Sequence, residues 1–184
     1  MRTNFGRGGF TLIEMLVVLA LAALLLSLAA PALSGMVNST RLTTSVNALF
    51  SSLLLARSEA IKRNSRAVVC KSATGNACIN TGSWQQGWIV FHDANNNAMV
   101  DGGEAILSRV SALPEPMRFT GNDPVANYVS YTPMGKTKYV SGALQFGRLT
   151  VCSASATQVD ARQIVISSAG RPRTVKTTVA QCPL

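Results

Sequence analysis

Hydrophobic residues follow three different patterns along this 184-residue chain. The first is a run of Leu, Val and Ala that follows Met15 and extends to Leu33, interrupted only by Ser27 and Pro31. At about 1.5 Å per residue, a helix of this length spans about 28 Å, close to the hydrocarbon thickness of a bilayer. This pattern predicts a helix that can cross a membrane, and Pro31, which lacks an N–H, is expected to kink or loosen it.

After Gly35 the apolar residues thin to a single stripe that steps by four and three positions. The stripe consists of Leu42, Val46, Leu49, Leu53, Ala56 and Ala60, widened by Phe50, Leu54 and Ile61. This spacing predicts one face of an amphipathic helix, so that a single long helix runs from Thr11 to about Arg66. The opposite face carries Arg57, Lys62, Arg63 and Arg66, and such a basic face is either solvated or bound to a partner.

Beyond residue 66 the pattern changes to short runs of β-branched and aromatic residues separated by Gly, Pro, Asn and Ser. The predicted strands are Ala67 to Lys71, Gly87 to His92, Ala105 to Val110, Arg118 to Thr120, Tyr128 to Tyr131, Ala143 to Phe146, Leu149 to Ser153, Gln163 to Ser167 and Thr174 to Thr178. One helix followed by many antiparallel strands predicts an α+β fold in which the helix covers one face of the sheet structure.

Four cysteines, Cys70, Cys78, Cys152 and Cys182, all lie outside the apolar run. An even number of cysteines in a membrane-targeted chain favours two disulfides, for which three connectivities are possible. We favour the local pairs Cys70–Cys78 and Cys152–Cys182 over the alternative of four buried thiols. Their spacing does not resemble that of a zinc site.

The chain is basic, with 17 Lys and Arg against 8 Asp and Glu, a formal net charge of +9. Loss of residues 1–9 would remove Arg2 and Arg7 and leave +7. This charge suits an anionic partner such as nucleic acid or lipid headgroups. Aromatic residues make up 6% of the chain, which argues against an extended base-stacking platform.

An acid, Glu14, lies at the start of the apolar run, where a carboxylate facing lipid would be costly. A conventional secretory signal peptide with an A-x-A site at residues 30–32 is one alternative. The segment GFTLIE at residues 9–14 instead closely resembles the prepilin signal of type IV pilins and type II secretion pseudopilins. The resemblance implies that a prepilin peptidase cuts after Gly9 and methylates Phe10. It also implies that Glu14 neutralises the terminal amine of the adjacent subunit, a pairing that makes a buried charge tolerable.

A second resemblance covers the stretch from Cys70 to Leu107, which is similar to the GspH and FimT/FimU branch of pseudopilins. It implies the type IV pilin fold, other pilins as partners in a filament, and no cofactor. It also implies four segments: a cleaved leader (1–9), a transmembrane or filament-core helix (10–34), the amphipathic half of the helix (35–66) and a β-rich domain (67–184). The expected location is the bacterial inner membrane, crossed once, with the domain periplasmic before assembly into a fibre.

The Asn- and Asp-rich segment after the second predicted strand places oxygen donors at the spacing of a calcium loop. The donors are Asp93, Asn95, Asn97, Asp101 and Glu104. However, Ala98 occupies the position where such a loop needs glycine, and strands rather than helices flank the segment. We therefore favour a β-hairpin with an Asn-rich tip.

Basic residues cluster between the last two predicted strands, in the sequence Gly170-Arg171-Pro172-Arg173 with Lys176 nearby. Gly and Pro predict a stiff turn that holds two guanidiniums outward, and guanidinium suits phosphate. The motif resembles the G-R-x-R loop of FimT-type minor pilins, which implies non-specific binding of extracellular double-stranded DNA during natural transformation. Further, weaker candidates are Lys136, Lys138, Arg148 and Arg162.

No sequence motif of an enzyme is present, and the single histidine, His92, is expected at the end of a strand. We therefore predict a binding protein rather than an enzyme. The alternative function is that of a structural pseudopilin of a type II secretion system, or of a pilus-priming subunit, that does not bind DNA.

Overall fold

The computed structural model describes residues 9–154 and 159–183, without the side chains of residues 28–32 and 34. The chain divides into two compact units, residues 1–39 and 40–184. The described elements are one long helix, two single-turn 3-10 helices and two sheets. They are α1 (Leu12–Arg63), β1 (Arg66–Lys71), a 3-10 helix (Trp84–Gln86), β2 (Trp88–Asp93), β3 (Ile106–Val110), β4 (Met117–Gly121), a 3-10 helix (Asp123–Val125), β5 (Tyr128–Tyr131), β6 (Gly147–Ser153), β7 (Val159–Ile166) and β8 (Pro172–Val179).

Helix α1 begins with a capping box formed by Thr11 and Glu14. Glu14 N–H donates to Thr11 Oγ1 over 3.3 Å, and Thr11 N–H donates to Glu14 Oε2 over 2.8 Å. The helix continues through Pro31, and the predicted kink lies among residues whose side chains are not described. Within the described residues, no helix combines the length and the apolar character that a membrane span requires.

The end of α1 differs from the prediction by three residues. Asn64 adopts a left-handed conformation with φ of 49°, and its N–H donates to Ile61 C=O while Ser65 N–H donates to Ala60 C=O. These two bonds form a Schellman motif, which stops the helix at Arg63. Arg66 is therefore the first residue of β1, where it is buried, and does not belong to a basic face of the helix.

Two antiparallel four-stranded sheets form the β-rich part of the chain. The first has the order β3-β2-β1-β5 and the second has the order β4-β6-β7-β8. The second half of α1 packs with them in one hydrophobic core, and all six residues of the predicted stripe, Leu42 to Ala60, are at most 2% exposed. The sequence prediction of the buried face is thus confirmed, although Leu54 and Ile61, which were expected to widen it, are exposed.

Two tryptophans connect the elements around this core. Trp88 on β2 donates its indole N–H to Ser52 Oγ on α1 over 2.9 Å, and its ring meets Phe119 of β4 edge to face at 6.1 Å. Trp84 donates to the backbone oxygen of Val125 over 3.0 Å. Because both indole N–H groups have partners, these large side chains can be fully buried without an unpaired donor.

Both predicted disulfides are present. Cys70 at the end of β1 is bonded to Cys78, and Cys152 on β6 is bonded to Cys182 in the C-terminal tail. The second disulfide holds the tail against a small apolar cluster on the face of the second sheet that points away from the main core, here called the outer face. The structure therefore confirms the local pairing favoured from the sequence.

Eight of the nine predicted strands are found, with end points shifted by at most four residues. The ninth, Ala143 to Phe146, is wrong, because only an isolated bridge between Lys138 and Leu144 forms there. In place of a ladder, Gln145 is buried and makes side-chain hydrogen bonds. Its amide donates to the oxygens of Pro124 and Tyr128, and its Oε1 accepts from Ser130 N–H.

Candidate functional site

The basic turn joins β7 to β8, as the sequence predicted. Gly170 has φ of 74°, and its N–H donates to Ser167 C=O over 2.8 Å, which closes the turn. The register Ile166 opposite Pro172 then starts the hairpin. Arg171 and Arg173 are exposed, one in the turn and one on the edge strand β8.

The turn is held against a second turn at residues 132–136. A Cβ atom added to Gly170 would lie 1.9 Å from Gly135 O and 3.2 Å from Lys136 Cα, so the two backbones are in direct contact. On its other side, Gly135 O accepts a hydrogen bond from Arg57 Nε on α1 over 3.1 Å. This stack of helix, turn and turn limits the movement of Arg171.

Thr137 provides a further link between the same two segments. Its hydroxyl lies 2.6 Å from Gln145 O and 3.0 Å from Ser167 O, so it can donate to either carbonyl. Through these contacts Lys136, a weak candidate on sequence grounds, becomes a neighbour of Arg171. Their proximity depends on a contact between residues 135 and 170, which sequence spacing did not reveal.

Four of the five remaining predicted cations lie on the second sheet and are divided between its two faces. Arg173 is aligned with Val165, which is aligned with Arg148, so these side chains form one row on the outer face. Lys176 is aligned with Arg162 on the opposite face, because residues three apart in a strand point to opposite sides. Lys138 lies in the loop after β5, where its backbone oxygen accepts a hydrogen bond from Arg66.

Among the described residues, no acid forms an ion pair with a candidate cation. In the part of the chain that the structure describes, both ion pairs involve Glu59, which binds Lys62 and Arg63 on α1. No ion pair involves Arg171, Arg173 or Lys136 in that part of the chain. Their charges are therefore available to an anionic partner.

The Asn- and Asp-rich segment forms the tip of the β2–β3 hairpin, and its carboxylates bind groups of the hairpin itself. Asp93 accepts from the backbone N–H groups of Asn97 and Ala98, and Glu104 accepts from those of Ala94 and Asp101. Asp101 Oδ2 accepts from the side-chain amides of Asn95 and Asn97, each over 2.7 Å, and these bonds lower the pKa of Asp101. Among the described residues, no cluster of three or more acidic, histidine or cysteine side chains is arranged to hold a metal.

The residues predicted for processing and assembly, Gly9, Phe10 and Glu14, lie just before and within the first turn of α1. Both hydrogen bonds that Thr11 donates reach Glu14 Oε2, from its N–H over 2.8 Å and from its hydroxyl over 3.0 Å. The second carboxylate oxygen, Oε1, accepts no hydrogen bond from the described residues. Apolar side chains from Leu12 to Leu26 are largely exposed in the single chain, and Phe10, Ile13, Val17 and Val18 line a shallow apolar recess around Glu14.

Comparison with family models gives two matches. Residues 45–170 match the family described as type II transport protein GspH, and residues 4–30 match the prokaryotic N-terminal methylation motif. The chain belongs to the GspH family. It is a minor pilin or pseudopilin of the FimT/FimU/GspH kind, a filament subunit rather than an enzyme. Its partners are therefore other pilins and a prepilin peptidase.

Solved structures confirm the type IV pilin fold of this GspH-family chain. It is similar to the type IV minor pilin FimU of Pseudomonas aeruginosa in two crystal forms. One has a TM-score of 0.59 at 16% identity over 80% of this chain and 99% of FimU. The other has a TM-score of 0.56 at 17% identity over 77% of this chain and 100% of FimU. No curated protein matches the chain.

Proposed function

We propose that this minor pilin binds extracellular double-stranded DNA non-specifically through its Gly170-Arg171-Pro172-Arg173 turn, for uptake in natural transformation. The observation that carries the proposal is the pair of exposed arginines on a turn held by the Gly170–Gly135 contact. An arginine on a rigid turn loses little conformational entropy when its guanidinium binds a phosphate bidentately. The sequence resemblance to the G-R-x-R loop of FimT-type pilins supports the same function.

Arg171, Arg173 and Lys136 are the phosphate contacts in this proposal. Three contacts to duplex DNA give a slope of log K against log salt of about −2.7, which corresponds to weak binding without sequence preference. Lys176 and Arg162 form a separate pair on the other face of the sheet, so a duplex bound at the turn leaves them free. Such weak binding suits a subunit that samples DNA and is later retracted.

A matched pair of double variants tests this proposal in the full chain, kept in non-ionic detergent. Arg171→Glu with Arg173→Glu is expected to abolish binding of a fluorescent duplex at low salt. Arg162→Glu with Lys176→Glu changes the charge equally on the other face and is expected to reduce affinity only modestly, through long-range electrostatics. If the two variants, both folded by circular dichroism, lose affinity equally, net charge rather than the turn accounts for binding.

The proposal includes anchoring and assembly by the N-terminal half of α1. After cleavage behind Gly9, the methylated amine of Phe10 of one subunit meets Glu14 of its neighbour. Glu14 Oε1, which accepts no bond from the described residues, is the oxygen that would receive this amine. The exposed apolar side chains of the same helix are expected to be covered by the inner membrane before assembly and by neighbouring helices in the fibre.

Two measurements test the anchoring and assembly proposal. Mass spectrometry of the mature chain is expected to find methylated Phe10 at the N-terminus, whereas an N-terminus at Leu33 would indicate an ordinary signal peptide. Glu14→Ala is expected to be processed but absent from sheared fibres. Normal incorporation of this variant would contradict the proposed role of the carboxylate.

A second candidate function is that of a structural or priming subunit that does not bind DNA. The GspH family match ends at Gly170, so Arg171 and Arg173 lie outside the matched region, and this observation favours the alternative. A deletion strain separates the two functions. Loss of transformation alone supports DNA capture, whereas loss of twitching motility or of secretion supports a role in fibre assembly.

A further inference from the structure

Phe146 is a large aromatic side chain exposed beside the basic turn. It is 57% exposed, which makes it the most exposed aromatic side chain among the described residues from Thr40 onward. Leu144, two residues before it, is also 55% exposed, and exposed apolar side chains at the surface are not unusual by themselves. The position of Phe146 relative to the cations is what distinguishes it.

A bridging hydroxyl and the pairing of β6 with β7 place Phe146 next to the β7–β8 turn. Thr137 Oγ1 lies within 3.0 Å of both Gln145 O and Ser167 O, so the residue after Gln145 lies beside the first residue of the turn. Gln145 is fully buried, and the chain then enters β6 with Gly147 aligned with Ile166. Because side chains alternate along extended backbone, Phe146 points away from the core on the same side as Arg148.

The outer face around Phe146 therefore combines one ring with several cations. Arg148 is two residues along, and Arg173 is aligned with Arg148 through Val165, about 10 Å away at the strand spacing of an antiparallel sheet. Arg171 is in the adjacent turn. Arg148 lies near an acid. Its backbone N–H donates to the side chain of Asn122, and Asp123 is the next residue in the chain. Phosphate is thus expected at Arg171 and Arg173, on the side away from Asp123.

We propose that Phe146 stacks on an unpaired base, so that this surface binds single-stranded DNA or the frayed end of a duplex as well as the duplex backbone. The inference rests on the proposed function, because Arg171 and Arg173 supply the phosphate contacts. A ring beside a row of guanidiniums is the combination that single-strand binding uses, and stacking tolerates any base. In a continuous duplex the base faces are already stacked, so Phe146 finds no partner there.

Binding of two probes by the detergent-solubilised full chain tests this inference. The probes are a fluorescent oligothymidylate of about 30 nucleotides and a blunt duplex of the same length. Loss of one stacked base corresponds to about 5- to 150-fold in affinity. Phe146→Ala is expected to weaken oligothymidylate binding at least about fivefold at an unchanged salt slope, and duplex binding less than about twofold. Phe146→Tyr keeps a ring and is expected to bind as the unaltered protein does.

Met99→Ala is the matched control, because Met99 is 62% exposed and lies at the tip of the β2–β3 hairpin in the other sheet. If Phe146→Ala weakens binding of both probes equally, or of neither, the stacking inference is wrong. If the variant binds both probes normally but is absent from fibres, Phe146 is a subunit contact instead. These results leave the role of the turn standing if Arg171→Glu with Arg173→Glu still abolishes duplex binding. If the unaltered protein binds neither the oligothymidylate nor the duplex, both proposals are overturned.

Discussion

Replacement of Gly170 by alanine tests whether contact with Gly135 holds the basic turn in place. Gly170 has φ of 74°, a conformation that an L-residue with a side chain adopts only at a cost. The new Cβ would lie 1.9 Å from Gly135 O and 3.0 Å from Gly135 C. Since an ordinary contact needs about 3.4 Å or more, and both nearby atoms are backbone, the turn must move away from residues 135 and 136.

The cost of this substitution has two parts. A left-handed alanine costs about 1 to 2 kcal/mol, and forced displacement of packed backbone costs about 1 to 3 kcal/mol. We expect a loss of about 3 kcal/mol in the free energy of unfolding. For a domain of this size, each kcal/mol shifts Tm by about 2 to 4 °C, so Tm should fall by roughly 6 to 12 °C.

Gly142→Ala separates the two parts. Gly142 also has positive φ, 89°, but nothing lies within 4 Å of its added Cβ. It is expected to lose only the conformational part, about 1 to 2 kcal/mol. Urea unfolding and duplex binding are measured for both variants, and only Gly170→Ala should also weaken binding. Equal losses of stability, or unaltered DNA binding by Gly170→Ala, would refute the idea that the Gly135 contact positions Arg171.

Three further predictions concern the rest of the domain. Leu53→Ala is expected to lower the free energy of unfolding by about 2 to 5 kcal/mol in urea, since Leu53 is fully buried, and a loss below about 1 kcal/mol would contradict its place in the core. Replacement of Cys152 and Cys182 by serine is expected to cost about 3.5 kcal/mol from loop-closure entropy, as measured by thermal unfolding against the unaltered chain. The pKa of Asp101 is lowered from 3.8 by its amide partners, so its contribution to stability is present above about pH 4 and is lost as pH falls through the lowered pKa. Asp101→Asn should therefore lose less stability on acidification than the unaltered chain, and an identical pH profile would contradict this account.

Local patterns were sufficient to predict most of the fold. The stripe from Leu42 to Ala60 identified the buried face of α1, because helical periodicity is a property of neighbouring residues. The end of the helix was predicted less well, because the prediction followed the apolar stripe and the basic face and did not use Asn64, a residue that favours the left-handed conformation at a helix end. The strand predicted at Ala143 to Phe146 failed for a different reason. Residues with strand propensity occur there, but buried hydrogen bonds of Gln145 to three other segments replace a ladder.

The candidate site was predicted only in part. The sequence identified the turn at Gly170 and its two arginines, because turn chemistry is local. Lys136 became a strong candidate only through a contact 35 residues away in sequence, between Gly135 and Gly170. No local pattern could have revealed that contact.

The division of the cations between two faces follows from where β8 begins. Arg173 and Lys176 lie three positions apart in β8, which begins two residues before the predicted strand, so alternation places them on opposite sides. Seven candidate cations acting together on a duplex would give a salt slope of about −6, whereas Arg171, Arg173 and Lys136 give about −2.7. The measured slope therefore indicates how many of these cations contact phosphates, and hence whether DNA contacts one face of the sheet or both. A slope near −6 would mean that DNA wraps the edge strand β8 and reaches both faces, and the single-turn model would then have to be abandoned.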